Sequence, residues 1–548
     1  MKNKILAFVS GTKPGRIDWK LLIFLLLFLN FKLIIKLAAI VVIYLLRADL
    51  RFGFRIKNPR LPLFYLLVIF IGLVNWFVSG LIGNFNYSLV MAMGILCWIL
   101  CILAIHQVKL SVEKNDTVTI HRTLLVFFII NIIISLAVYA SIVWETGAIN
   151  AYRYQGNYQK YFIGTGDYIK GLTFDTSTTN AVLNAIGVIY FLYREKYGLV
   201  IISMAVLLMT GSNLTNFLLV CTLIFVFLFQ SNKDQKTLVL VCFLMLITFL
   251  VKVSPQNNQY VTTAFQKVFG IQSHDKVNAK AEIPITQKPD SVLTGDEQKQ
   301  KFAQLYLDSI NAALAKKNKK TLPGPLAAMG YMQRPLIPGD SIHTPAFQHR
   351  HDTNAIEKKL LQFVDTVSVA EIVTTSAITK TRLPGKLIAF QQTFRYLKEH
   401  PGKLATGTGI GNFSSKLAFR ATAMNVTGSY PARFAYINND FRVNHLDLYA
   451  YYFAGKDDYH SVVNSPNSTY DQLLGEYGLA GLLGFLWLYI GFFVKNVSRH
   501  TAAIPLILLM LGVFFIEYWF EHLSVVIVFE LLLFLNIKEI TDQKIETA

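Results

Sequence analysis

The sequence predicts an all-α membrane protein, and three observations predict it. Apolar runs near membrane-spanning length recur at residues 18–32, 33–46, 61–82, 88–106, 123–143, 178–193, 197–211, 213–230, 237–253, 472–494, 502–520 and 522–537, about twelve transmembrane helices in all. Only 16% of the 548 residues are charged, against roughly 25% in a soluble domain, and the mean hydropathy is +0.43. Basic residues recur in every second turn between the runs. Nothing alternates with the period of two that a membrane β-barrel requires, and the need to satisfy backbone groups in lipid makes the runs helices.

Charge orients the helices. Arg47, Arg51, Arg55, Lys57 and Arg60 follow the second run; Lys109, Lys114 and Arg122 the fourth; Arg194 and Lys196 the sixth; Lys233 and Lys236 the eighth; Lys495 and Arg499 the tenth. Turns 82–88 and 211–213 hold no Lys or Arg. The positive-inside rule then puts both termini in the cytoplasm of a multi-pass inner-membrane protein. Lys32 and Lys36 break the pattern, and snorkelling or a re-entrant first hairpin would accommodate them. The net charge of +19 sits largely between apolar runs, so membrane topology and anionic ligands account for it and no nucleic-acid partner is expected. The first run lacks a small-residue cleavage site and reads as a retained span. Cys97, Cys101, Cys221 and Cys242 all lie in apolar runs and read as packing residues, not a disulfide framework or zinc site.

Three regions follow: an N-terminal bundle over 1–253 with an outer loop at 144–177, a periplasmic loop over 254–471, and C-terminal helices with a short tail over 472–548. The large loop is far longer than ordinary connections. Its segments 271–300 and 320–356 are polar and contain proline. Glu297–Lys320, Lys358–Thr379 and Lys386–His400 read as helices, the last ended by Pro401 and Gly402. Its basic excess faces outward, where positive-inside logic does not explain it, because long translocated loops escape that rule.

Three motifs stand out. Gly407-Thr-Gly-Ile-Gly-Asn-Phe413 follows the helix–Pro element; closely spaced glycines here (Gly409 and Gly411, with Asn412 beside them) let backbone N–H groups approach an anion, or simply make a turn. Asn464-Ser-Pro-Asn-Ser-Thr-Tyr-Asp471 runs into a span through Glu476, and polar groups at a span mouth are either functional or helix caps. Met209-Thr-Gly-Ser-Asn213 is a short polar turn. His343, His349 and His351 are metal-like in type, but their setting reads as irregular chain, so no metal site is expected.

In this order the three motifs resemble those of the O-antigen ligase and O-antigen polymerase superfamily of bacterial surface-polysaccharide assembly. The family pattern is a Thr-Gly-Ser-Arg turn, a periplasmic loop with a helix–Pro–Gly-x-Gly element, and a His-Asn-x-x-Leu-x-x-Leu-x-Glu-x-Gly segment opening the next span. The resemblance covers roughly 170–495 and implies a C-type glycosyltransferase-like bundle with one large, partly helical periplasmic loop. It implies a metal-independent, cofactor-free transfer of glycan from undecaprenyl diphosphate to a glycan or lipid-linked acceptor, alongside other polysaccharide-assembly proteins. The family arginine falls on Asn213 and the family histidine on Asn467. Asparagine positions a hydroxyl but is no general base near neutral pH, so His460 becomes the nearest replacement, with Asn467 and Glu476 as further catalytic candidates. Arg382, Lys386, Arg395, Arg420, Arg433 and Arg442 are the candidate diphosphate contacts, each of them otherwise a solvated surface charge. A transporter and a non-catalytic scaffold of an export complex are the rival expectations.

Overall fold

The computed structural model describes residues 16–29, 32–46, 49–153, 168–174, 176–254, 384–423, 428–453, 462, 465–498 and 501–547. Arg382, His460, the three loop histidines and the helices expected at Glu297–Lys320 and Lys358–Thr379 lie outside the described residues. Within them the chain is all-helical, with no strand.

The helices are α1 (Trp19–Phe28), α2 (Leu33–Leu46), α3 (Phe64–Val78), α4 (Phe85–Lys114), α5 (Thr117–Thr146), α6 (Ser177–Tyr193), α7 (Tyr197–Met209), α8 (Asn213–Phe229) and α9 (Lys233–Thr248), which continues as a wider turn over Phe249–Val253. Within the large loop lie α10 (Gly385–Glu399), α11 (Lys416–Ala421), α12 (Asn439–Asn444) and α13 (Leu446–Phe453), and at its end begins α14 (Thr469–Gly484), extended by a π-helical stretch, Phe485–Ile490, and by Gly491–Asn496. Then come α15 (Ala503–Val513), a single turn α16 (Trp519–His522) and α17 (Ser524–Thr547).

Four stretches are long and apolar enough to cross a bilayer: Phe85–Lys114, Thr117–Thr146, Lys233–Val253 and Thr469–Asn496. The chain is therefore a helical membrane protein. Each of the twelve apolar runs contains a helix, but in seven of them that helix is only 10–17 residues long. The ten residues of α1 rise about 15 Å, half of a hydrocarbon core.

Burial ranks the helices. Every residue of α6 from Ser177 to Leu192 is buried, and so is every residue of α17 from Ser524 to Asn536. Helices that are apolar on all sides belong at the centre of a bundle. By contrast α8 and α9 turn Phe217, Leu228, Leu240 and Leu244 outward, as lipid-facing helices do. The core is continuous between helices before and after the large loop, joining Phe64 and Trp98 to Phe485, Tyr489 and Phe520. Cys101 and Cys242 are buried in it, Cys97 is half-buried and Cys221 exposed.

Contacts sort the turns into two ends. At one, Asn115 donates to Asp18 (2.8 Å), Arg60 pairs with Glu113, Lys538 donates to the Val112 carbonyl (2.9 Å), Arg194 pairs with Glu539 (3.5 Å) and Gln235 donates to the Leu192 carbonyl (3.4 Å). This end gathers the basic turns. At the other, Asn75 donates to the Thr406 carbonyl (2.6 Å), Asn86 to that of Ala435 (2.9 Å) and the Thr469 N–H to that of Phe514 (2.9 Å). This is the loop end. Lys36 belongs to it and does not snorkel: it is 2% exposed and donates into the bundle, to the His522 carbonyl.

Candidate functional site

The loop end is built where α14 fails to be a continuous helix. Gly478 has φ 64° and ψ −162°, a backbone region open essentially to glycine alone. The break frees two carbonyls of α14, and the glycine turn takes them. The Thr408 N–H donates to Gly475 O (3.0 Å) and the Gly409 N–H to Glu476 O (2.9 Å), while the Ala480 N–H donates back to Ala405 O (3.0 Å). Gly407, Gly409 and Gly411 all have positive φ. A Cβ on Gly407 would lie 2.4 Å from the Glu476 carbonyl carbon. Ile410, between them, is 1% exposed and lodges against Gly72 of α3 and Gly94 of α4.

The glycine turn does present N–H groups, and in this structure they face a carboxyl of the protein itself. The Phe413 N–H points at Glu476 Oε1 (3.5 Å), and the Gly411 N–H and Ser415 hydroxyl also serve that carboxyl. Glu476 Oε2 is buried with no hydrogen-bond partner among the described residues. Asn412 is fully buried: it donates to Tyr87 (3.0 Å) and Thr408 O (2.9 Å) and accepts from Tyr436 (3.0 Å). The Gly409 N–H and the Asn412 side chain therefore have their partners within the protein.

Around this turn four elements bring charges together. From α10, Lys386 is 1% exposed and donates to the backbone carbonyls of Asn467 and Ile516 (2.7 Å to the latter). Burial pushes its ammonium down to about 7, although Glu517 and Asp471 pull it the other way. Asn467 donates its amide to Glu517 Oε2 (3.0 Å), and its Oδ1 is buried without a hydrogen-bond partner among the described residues. Glu517 also faces His522 Nε2 at 3.5 Å, and Lys416 Nζ lies 3.0 Å from the same nitrogen. Glu521 accepts from Gln472 (2.6 Å) and from the Leu417 N–H (3.2 Å). Arg420 is half-buried against Gly428 and close enough to act on Glu521 electrostatically.

Beside this lies a buried acid–histidine pair. Asp471 accepts from Thr393 and Ser414 (2.6 Å each) and faces His445 Nε2 at 3.6 Å. Burial pushes His445 down against the pull of Asp471. Thr393 Oγ1 also lies 3.2 Å from His445 Nε2, which closes the pair into a buried cluster. It locks α10, the glycine turn, α12–α13 and α14 to one another. Among the described residues, no group of three or more His, Cys, Asp and Glu side chains has metal-holding geometry.

The remaining expected contacts lie elsewhere. Arg395 is exposed on the outer face of α10, opposite Lys386, Thr393 and Tyr396. Arg433 is exposed over the Phe434 ring and Arg442 is exposed on α12. Asn213 opens α8 at the loop end, after a turn in which Tyr152 donates to the Met209 carbonyl. Its helix packs on α15, with Leu218 against Gly512.

Sequence reasoning missed Lys36, Lys416, His445, Glu517, Glu521 and His522. The last apolar pair, expected at 502–520 and 522–537, hid three of them. Helix α15 stops at Val513, and 514–523 breaks the helical path before α17, with Phe514, Trp519 and Phe520 in the core and Glu517, Glu521 and His522 among them. Three ionisable groups in six residues, Glu517 to His522, were the available signal, since charges inside apolar runs are functional candidates by default. Comparison with protein-family models, curated proteins and solved structures finds no match.

Proposed function

We propose that this protein is a membrane glycosyltransferase of the O-antigen ligase and polymerase type. It transfers or polymerises undecaprenyl-diphosphate-linked oligosaccharide outside the cytoplasm, with polymerisation favoured over ligation because nothing reads as a lipid A-core docking site. The twelve-span inner-membrane topology, cytoplasmic termini and periplasmic loop belong to the same proposal. One observation supports it most: the helix–Pro–glycine element and the Asn467–Glu476 segment, 60 residues apart in sequence, interlock at the loop end, with the half-buried Lys416 and Arg420 beside them. A departing diphosphate needs such convergent cations. Asn467 and Glu517 are placed to hold an acceptor hydroxyl, and a good leaving group lowers the demand for a strong base.

Arg420→Ala and Lys416→Ala, expressed at wild-type level in a deletion strain, are expected to cut polymer by roughly tenfold or more, the worth of one charge-assisted hydrogen bond. Glycan of wild-type quantity and length from both variants would sink this site assignment.

A transporter is the second reading. The break at Gly478, the π stretch over Phe485–Ile490 and the fully buried Glu530, bonded to Tyr65 (2.5 Å) and Tyr489 (3.0 Å), are features that transporters use. Single repeat units reaching the outer face in the deletion strain favour the polymerase. Repeat units trapped on the inner face favour the transporter.

A further inference from the structure

A second built site lies at the other end of the bundle. A cleft of about 270 Å³ opens where α5, α6, α15 and α17 meet. Glu539 is fixed in it: His121 Nε2 lies 2.6 Å from its Oε1 and Arg194 Nη1 3.5 Å. His121 is itself held, with Nδ1 2.9 Å from the Tyr190 hydroxyl. Thr501 and Asn536, bonded to each other at 3.2 Å, form the opposite rim, and Leu506, Leu532 and Leu535 the apolar floor.

We propose that this cleft binds the headgroup of an amine-bearing zwitterionic phospholipid, with the ammonium at Glu539 and the phosphate at Arg194. Three considerations select that class. The first is size: sites for drug-sized ligands span roughly 300–1,000 Å³, so 270 Å³ suits a headgroup and not a lipid-linked oligosaccharide. The second is charge. A purely anionic headgroup would face the Glu539 carboxylate, and a purely cationic ligand would face the Arg194 guanidinium, whereas a zwitterion matches both. The Arg194 side chain is 46% exposed, so it has surface to offer. The third is place. The cleft sits among the helix ends that gather the basic turns, and basic residues at the ends of membrane helices are where headgroups are met. The proposal is independent of the glycosyltransferase reading, because it uses none of the loop-end residues.

The test is native mass spectrometry of the full-length protein in detergent with phosphatidylethanolamine, phosphatidylcholine or phosphatidylglycerol of matched chains. Phosphatidylethanolamine is expected to be retained roughly tenfold over the other two, since choline has no N–H to donate and glycerol no charge for Glu539. Glu539→Gln should erase that preference, Arg194→Gln should weaken retention of all three lipids, which share the phosphate, and Lys416→Ala at the loop end should change neither. Equal retention of the three lipids by the wild type overturns the proposal without recourse to any variant. So does a preference that survives Glu539→Gln. Soluble glycerophosphoethanolamine binding as tightly as the lipid would overturn the lipid as the source.

Discussion

Lys386, at the loop end, is 1% exposed and gives its protons to two backbone carbonyls from separate segments. Arg194, at the basic-turn end, is 46% exposed and keeps one carboxylate at 3.5 Å. The contrast extends beyond the pair. Asp471 and Glu476 at the loop end are fully buried and hold hydroxyls and N–H groups of other elements. Glu539 at the far end is 30% exposed and borders an open cleft. Charge at the loop end is spent on joining segments that the large loop separates in sequence. Charge at the other end sits on helix ends that hydrophobic packing already positions, so it is left to face water and headgroups. Buried polar groups must be fully met or they cost several kcal/mol. The loop end therefore tolerates little change.

Three substitutions test this contrast. The largest effect is expected from Gly478→Ala. Its φ and ψ exclude a side chain, and the new Cβ would fall 2.6 Å from Ala405 backbone and from Gly407 N. A loss of about 3 kcal/mol or more follows, seen as a collapse of folded yield in detergent. A melting temperature like the wild type's would show that the break at Gly478 is not needed. Lys386→Met comes next, because it leaves two carbonyls without their donor, at roughly 1–3 kcal/mol for each that stays buried and unmet. Lys386 also sets a pH dependence. Its ammonium titrates near 7 when folded against 10.5 normally, so between those values the unfolded chain holds more protons and stability falls as pH drops from about 10 towards 7. In Lys386→Met that part of the slope should vanish from melts recorded across the window; an unchanged slope counts against a buried ammonium. The smallest effect belongs to Arg395→Ala, on the exposed face of the same helix. It should move stability by no more than about 0.5 kcal/mol and leave polymer intact, and a loss of polymer would relocate the site to the outer face of α10.

How much of this was legible in the residues depends on what each signal measures. Apolar length marks where helices lie, and all twelve runs contain one. It does not mark where they stop, so the runs 502–520 and 522–537 pass over the break between Val513 and Ser524. The glycine spacing announces a turn with available N–H groups, and the turn is there. That they face the Glu476 carboxyl, 65 residues after Gly411, is a tertiary fact with no local trace. Lys386 and Arg395 look alike as cations on one amphipathic helix, yet one is buried and the other exposed. Their spacing puts them on different faces, but only packing against α14 says which face is inward. Asn467 stands where the family resemblance has a histidine, while its bond to Glu517 depends on a break in the last apolar pair that apolar length does not signal.

The interruption of α14 also bears on how the chain is made. A half-helix that enters the bilayer with the Gly475 and Glu476 carbonyls open is costly to leave so, because lipid offers them no donor. Their donors are residues 408 and 409, on a stretch that belongs to the large loop. The last helices therefore reach their final form only once residues 405–413 have come to meet them. That stretch is in this sense part of the helical bundle, and it cannot be shortened as an appendage would be.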